Sequence, residues 1–392
     1  MDFINLLGQT SPYPLLLEID RAEGLFLYDK QGNAYADLIS GIAVSSLGHG
    51  HPAIKQAINE QVERHLHVMV YGEFIQESQL DFAHQLTKIL PPSLQAVYPV
   101  NSGTEAIEAA IKLVKRATGR REIIAFKGSY HGSTHGSMSI SHNEVKKTNY
   151  RPLLPGTRFI TLNNLEELNQ ITPATAGVFL ETIQGDAGVR IPSNEYLVAL
   201  RKRCNDVGSL LVLDEIQCGL GRTGSYFAFE HFSVLPDILC LGKALGGGMP
   251  IGALVTSKDN MALFKENPML GHITTFGGHP VACASAAAFL RVLTSEIDLK
   301  MLPKIADIFL DTIGKHKDIK EIRNKGLMFA FDMESAARVE KVVKRCLEKK
   351  ILTFWFLSHP YSFRLAPPLN ITLEQATHFA NEILKAIEDT CD

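Results

Sequence analysis

Short apolar runs alternate with amphipathic stretches through the middle of the chain. Residues 122–126, 157–162, 177–182, 210–213, 237–241 and 251–256 are brief, rich in Val, Ile, Leu and Phe, and bounded by polar or turn-forming residues. Such runs predict strands buried on both faces. Between them, 105–117 and 194–207 repeat apolar side chains at helical spacing. Strand–helix alternation predicts an α/β fold, a mostly parallel central sheet with helices on both faces. Beyond about residue 280 the order changes. A helix at 281–293, a strand at 326–333, a helix at 334–350, a β-rich stretch ending at 363–369 and a last helix at 372–387 predict a smaller α+β domain. Residues 24–33 read as a hairpin. The expected division is an N-terminal segment, 1–50, joining the small domain, a large domain at 51–279 and the small domain proper at 280–392.

Composition narrows the partners. A chain of 392 residues can bury a large core, and a formal charge of −3 supplies no polybasic surface for nucleic acid or anionic membrane. The six cysteines are scattered with no Cys-x-x-Cys pair, which reads as core packing in a reducing cytoplasm and suggests no metal site. The first residues lack the basic and apolar regions of a secretory signal, and no apolar run approaches the roughly 18 residues of a membrane helix. A soluble cytoplasmic protein is the expectation.

Two of the buried runs end in ionisable residues. Leu211-Val212-Leu213 leads to Asp214, and Leu239-Cys240-Leu241-Gly242 leads to Lys243. An α/β sheet presents chemistry at such strand ends. A lysine among glycines can lose its proton and attack a carbonyl, and a nearby carboxylate can hold a pyridine nitrogen protonated; pyridoxal phosphate needs both groups. A surface lysine and a capping aspartate would give the same pattern. Asn101-Ser102-Gly103-Thr104 opens a helix after a strand, as a phosphate cradle or an ordinary cap does. Tyr130, in Tyr130-His131-Gly132, could stack on a flat ring, and Gln217 lies three residues past Asp214.

With Gly48-His49-Gly50-His51-Pro52, Glu181-Thr182-Ile183-Gln184-Gly185-Asp186, Gly221-Arg222-Thr223-Gly224, Thr274-Thr275-Phe276-Gly277-Gly278 and Arg364-Leu365-Ala366-Pro367-Pro368, these motifs span most of the chain. In this order they resemble the class III aminotransferases of fold type I, which include acetylornithine, ornithine and 4-aminobutyrate aminotransferases. The resemblance implies a pyridoxal-phosphate enzyme that moves an amino group from an ω-amino acid or amine to a 2-oxo acid by a ping-pong mechanism. It implies that Lys243 forms the Schiff base, Asp214 pairs with the pyridinium nitrogen, Gln217 meets the phenolic oxygen and Tyr130 stacks on the ring. Ser102, Gly103 and Thr104 would hold the phosphate, with His131 and Glu181 also in the cofactor set. Thr275 would reach the phosphate of a neighbouring subunit, making a homodimer with composite sites.

Departures from the family bear on substrate. Arg364 matches the family's carboxylate-binding arginine, and Asp186 stands where relatives often carry a glutamate able to pair with it. Ile42 occupies the place of an aromatic residue in ornithine aminotransferase, and Phe74 is expected to line the entrance. Ser133 replaces an arginine that helps bind a substrate carboxylate, and serine cannot supply that charge. Weak use of 4-aminobutyrate and an acceptor such as pyruvate are therefore expected unless another cation compensates, with Lys127, His135 and Arg151 nearest in sequence. Two alternatives share the cofactor: a mutase or racemase, and a non-catalytic pyridoxal-phosphate-binding protein. Stoichiometric amino exchange separates the first from an aminotransferase, and the Lys243–Asp214 pair argues against the second. A plain nucleotide-binding protein lacks support, since neither Gly-x-Gly-x-x-Gly nor a Walker loop is present.

Overall fold

The computed structural model describes residues 2–391. Its central sheet has seven strands in the order Ala96–Val100, Gly252–Thr256, Ile238–Leu241, Leu210–Asp214, Thr175–Glu181, Glu122–Phe126 and Thr157–Ile160. Gly252–Thr256 runs antiparallel to both of its neighbours; the other pairings are parallel. Alternate side chains of single strands enter separate cores. Ile123, Phe179 and Val212 pack with the helix Gly103–Thr118, whereas Ile124, Val178, Leu180 and Leu211 pack on the opposite face with Asn194–Val207. Burial on both faces explains why these strands read as continuous apolar runs rather than as an alternating pattern.

Two smaller sheets flank this layer. Ile19–Glu23, Phe26–Asp29 and Ala34–Asp37 form antiparallel neighbours, and Ala34–Asp37 pairs in parallel with Ile351–Leu352 from the far end of the sequence. Glu321–Lys325, Met328–Asp332, Ser362–Leu365 and Phe354–Trp355 form the other, in that order. The stretch expected at 24–33 is the centre of a three-stranded meander. Its second turn is set by Asp29, whose carboxylate accepts the N–H groups of Gln31 and Asn33 at 3.0 and 2.8 Å. The polar first strand, Ile-Asp-Arg-Ala-Glu, is largely exposed and carried no apolar signal. The helix Pro52–Arg64 likewise escaped the pattern because it buries only Ile54 and Gln61. No single helix among the described residues is long and apolar enough to cross a membrane.

Arg222 ties the layers together. Its buried guanidinium donates to the carbonyls of Leu327 and Pro367 and, at 2.9 Å, to Ser46 Oγ. Burial pushes its pKa down to about 10. Arg222→Ala leaves these acceptors unpaired in a dry interior, and we expect a loss of about 3 kcal/mol of unfolding free energy, read as a lower urea midpoint. An unchanged midpoint would show that the contacts contribute little.

Candidate active site

Three neighbouring strand ends bring the chemistry together. Glu181 lies beside Asp214 in the parallel register, and Asp214 lies beside Cys240, three residues before Lys243. Lys243 follows the extended Gly242 and itself adopts φ 46°. A non-glycine residue in the left-handed region is strained, and such strain is held where the surroundings fix a functional side chain.

Lys243, Asp214, Glu181, Gln217, Thr104 and Tyr130 line one cavity of about 280 Å³. Asp214 is buried; its Oδ1 accepts the Ile216 N–H at 3.0 Å, and its Oδ2 lies 2.7 Å from His131 Nδ1. His131 is also buried; its backbone N–H donates to Ser141 Oγ at 2.9 Å, and its ring Nε2 is left without a protein partner. The imidazole thus aims the carboxylate. Glu181 accepts from the N–H groups of Tyr130 and Gly185 at 2.8 and 3.1 Å, and burial pushes its pKa up to about 7. Burial pulls the Lys243 pKa down, opposed by the charges of Asp214 and Glu181. Among the described residues, neither Lys243 nor the Gln217 amide has a side-chain hydrogen bond to protein.

The helix Gly103–Thr118 points its N-terminus at this cavity. Ser102 caps it, with Oγ accepting the Glu105 N–H. Gly103 has no room for a side chain, since a Cβ would meet Ile216 Cδ1 at 2.7 Å. Thr104 Oγ1 is held by Ser137 Oγ at 2.7 Å and Thr134 Oγ1 at 2.9 Å. Gly185 is bare for a similar reason: a Cβ there would fall 1.9 Å from Gln217 Oε1.

A second group surrounds Arg364, on the strand Ser362–Leu365. Its guanidinium lies 4.3 Å from the centre of the Phe356 ring, and Nη2 approaches Asp186 Oδ1 at 3.5 Å. The buried Nε has no partner. Burial lowers the pKa of Arg364, and Asp186 opposes that shift.

Aminotransferase class-III is the family whose model matches the chain, over residues 8–387. The chain belongs to that family. It is 37% identical to acetylornithine aminotransferase of Clostridium acetobutylicum, over 91% of this chain and 92% of that one. Identity to ornithine aminotransferase 1 of Staphylococcus aureus (strain MRSA252) is 38%, over 96% and 95% of the two chains. A crystal structure of the ornithine aminotransferase from Toxoplasma gondii, with pyridoxal phosphate partly occupying its active site, superposes with a TM-score of 0.92 at 31% identity, covering 99% of this chain and 93% of that one. The protein is a pyridoxal-phosphate-dependent aminotransferase of fold type I, acting between an amino donor and a 2-oxo acid.

Within this class III aminotransferase, not every residue singled out by sequence converges on the Lys243 cavity. Ser133 lines it, with Oγ 3.1 Å from the Tyr130 hydroxyl. Ile42, half-buried at φ 64°, is absent from its lining. Phe74 lines a separate apolar groove of about 660 Å³ with Leu270 and Ile273. Thr275 is exposed; its carbonyl lies 3.1 Å from His67 Nε2. The suggested compensating cations are engaged elsewhere or exposed: Lys127 with Thr161, Arg151 with Glu144, His135 at the surface. The cation that does reach the region is Lys146, 5.6 Å from the centre of the Tyr130 ring and 3.6 Å from Asp186 Oδ2. It sits on a single 3₁₀ turn, Glu144–Lys146, in a basic stretch whose sequence has no periodicity to signal which charge turns inward.

Proposed function

We propose that this aminotransferase acts on an ω-amino donor of the ornithine type, N-acetylornithine or ornithine, with a 2-oxo acid as acceptor. The observation that carries this reading is the pairing of a half-buried Lys243, with no hydrogen-bond partner in the protein, with the buried Asp214 in one cavity, and with the buried Arg364 close enough to influence the lysine's charge. The residues suit pyridoxal phosphate. A half-buried amine without a hydrogen-bond partner in the protein, a carboxylate aimed by His131 and a side-chain-free Gly103 at a helix start match its carbonyl, ring nitrogen and phosphate. When bound, the group supplies a carbonyl for amines and a protonated ring that withdraws electrons.

In this reading Lys243 Nζ would hold the cofactor through its carbonyl and, as a free amine, would take the proton from the carbon bearing the substrate's amine. Burial keeps its proton loosely held, as a base working near neutral pH requires. Asp214 would maintain positive charge on the ring nitrogen, Gln217 would meet the phenolic oxygen, and Tyr130 would stack on the ring. Ser102, Gly103 and Thr104 would cradle the phosphate, and Glu181 fixes the Tyr130 and Gly185 backbone. Arg364 offers its free Nε–H and remaining donors to the carboxylate beside the reacting carbon of the acceptor. Incubation with each donor and 2-oxo acids, following one amino group transferred per oxo acid consumed, tests the function. Amine loss without transfer would overturn it.

The reading includes a homodimer in the cytoplasm, with residues 1–50 grouped with 280–392 around the large domain at 51–279. Dimerisation is supported by the apolar groove, where Ile75, Met269 and Leu270 are 91%, 76% and 53% exposed, since large contiguous apolar surfaces mark interaction sites. The exposed Thr275 then serves the other subunit's phosphate. Lys243→Ala and Thr275→Glu subunits, each inactive alone, should regain activity on mixing through one intact site per mixed dimer. Analytical ultracentrifugation showing an active monomer would end the idea.

A further inference from the structure

We infer that Lys146 is the cation that binds the substrate carboxylate remote from the reacting carbon, taking the place of the charge that Ser133 cannot provide. The inference rests on the transamination reading above and names a specificity-determining residue for it. Lys146 Nζ stands over the Tyr130 ring, a wall of the Lys243 cavity, and faces Asp186.

Geometry argues that this charge is available. Asp186 makes its shorter bonds to neutral groups: Ser358 Oγ donates to it at 2.6 Å and the Leu357 N–H at 3.2 Å. Its two cations stand farther off, Arg364 at 3.5 Å and Lys146 at 3.6 Å. Charge-assisted N–H···O bonds close to roughly 2.7–2.9 Å, so neither cation is saturated by Asp186. Around Asp186, two positive groups thus share one negative group. An ammonium carries three donors and can hold Asp186 and a substrate carboxylate together.

The lysine is also placed rather than loose. Asn143, the residue that leads into its turn, donates from Nδ2 to Ser358 Oγ at 3.2 Å, and the same Ser358 hydroxyl donates to Asp186. Its sequence neighbour Lys147 is buried, bound to Glu144 at 2.8 Å and turned over Phe159. The turn thus sends one lysine into the protein and the other toward Tyr130. In a ping-pong cycle both substrates use one cavity. A single cation at Lys146 serves the α-carboxylate of an ω-amino donor in one half and the far carboxylate of a dicarboxylic 2-oxo acid in the other. The ligand class is therefore a chain bearing a carboxylate several bonds from the reacting carbon.

The test compares wild type, Lys146→Met and Lys146→Arg, all loaded with cofactor. In Lys146→Met the ratio of kcat/KM for 2-oxoglutarate to that for pyruvate should fall by ~10-fold, carried mainly by KM, and Lys146→Arg should recover most of it. Calorimetric titration with glutarate and with butyrate should show the same ~10-fold loss for the dicarboxylate relative to the monocarboxylate. Equal losses for both acceptors, or an unchanged glutarate-to-butyrate ratio, would overturn the role of Lys146. A wild type that transfers no amino group would instead overturn the transamination reading, and the glutarate titration still decides the role of Lys146.

Discussion

Lys243→Ala should lower turnover by ~10⁴-fold or more, because in the proposed assignment one side chain provides both the covalent attachment and the proton transfer. Single-turnover measurements with amino donor alone would read the loss directly. Exogenous alkylamines should restore a fraction of the rate, since a small free base can enter a cavity of about 280 Å³ emptied of the lysine stem. Borohydride treatment of the wild type should fix the cofactor to Lys243, and peptide mapping that finds it on another lysine would refute the assignment. The expectation rests on burial: Lys243 is the cavity's amine, and its surroundings already weaken its hold on a proton.

Asp214→Ala should cost roughly 10³-fold in kcat and weaken cofactor retention, as in the proposed assignment the ring nitrogen would lose the anion that faces it. The alanine variant has a second consequence. It strips His131 Nδ1 of its partner while Nε2 is already unpaired, leaving a buried imidazole with no side-chain contact to either nitrogen. Asp214→Asn separates the two effects, because the amide keeps the shape and can still hydrogen-bond His131 but carries no charge. We expect the asparagine variant to fold normally by thermal melting and yet lose nearly as much activity. Near-normal turnover in Asp214→Asn would show that the negative charge is not needed.

Much of the fold was legible because burial writes itself locally. The runs at 122–126, 210–213 and 251–256 could be read as strands since both faces of the central sheet are covered, and the helix at 194–207 was visible from its spacing. Polar elements were harder. Ile19–Glu23 lies largely in solvent and Pro52–Arg64 contributes few side chains to the interior, so neither imprints a period on the sequence.

The site divides in the same way. Asp214 and Lys243 were readable because each ends its own buried run, a feature contained in a few adjacent residues, and the family motifs fixed their order along the chain. How Asp214 is aimed was not readable: His131 reaches it from another segment, 83 residues away in sequence. Phe74 was expected at the entrance; within one chain it lines the apolar groove, a placement no run of neighbouring residues signals. The charge opposite Ser133 was sought among Lys127, His135 and Arg151, whereas the turn at Glu144–Lys146 brings Lys146 to Tyr130 and Asp186. By itself the sequence determined the α/β class and, through the family motifs, the cofactor, and it marked the buried runs that end in Asp214 and Lys243, since each is written in residues adjacent along the chain. Only the tertiary structure decided which polar groups face one another, because that depends on how separate strands and turns pack and on which charges find a partner.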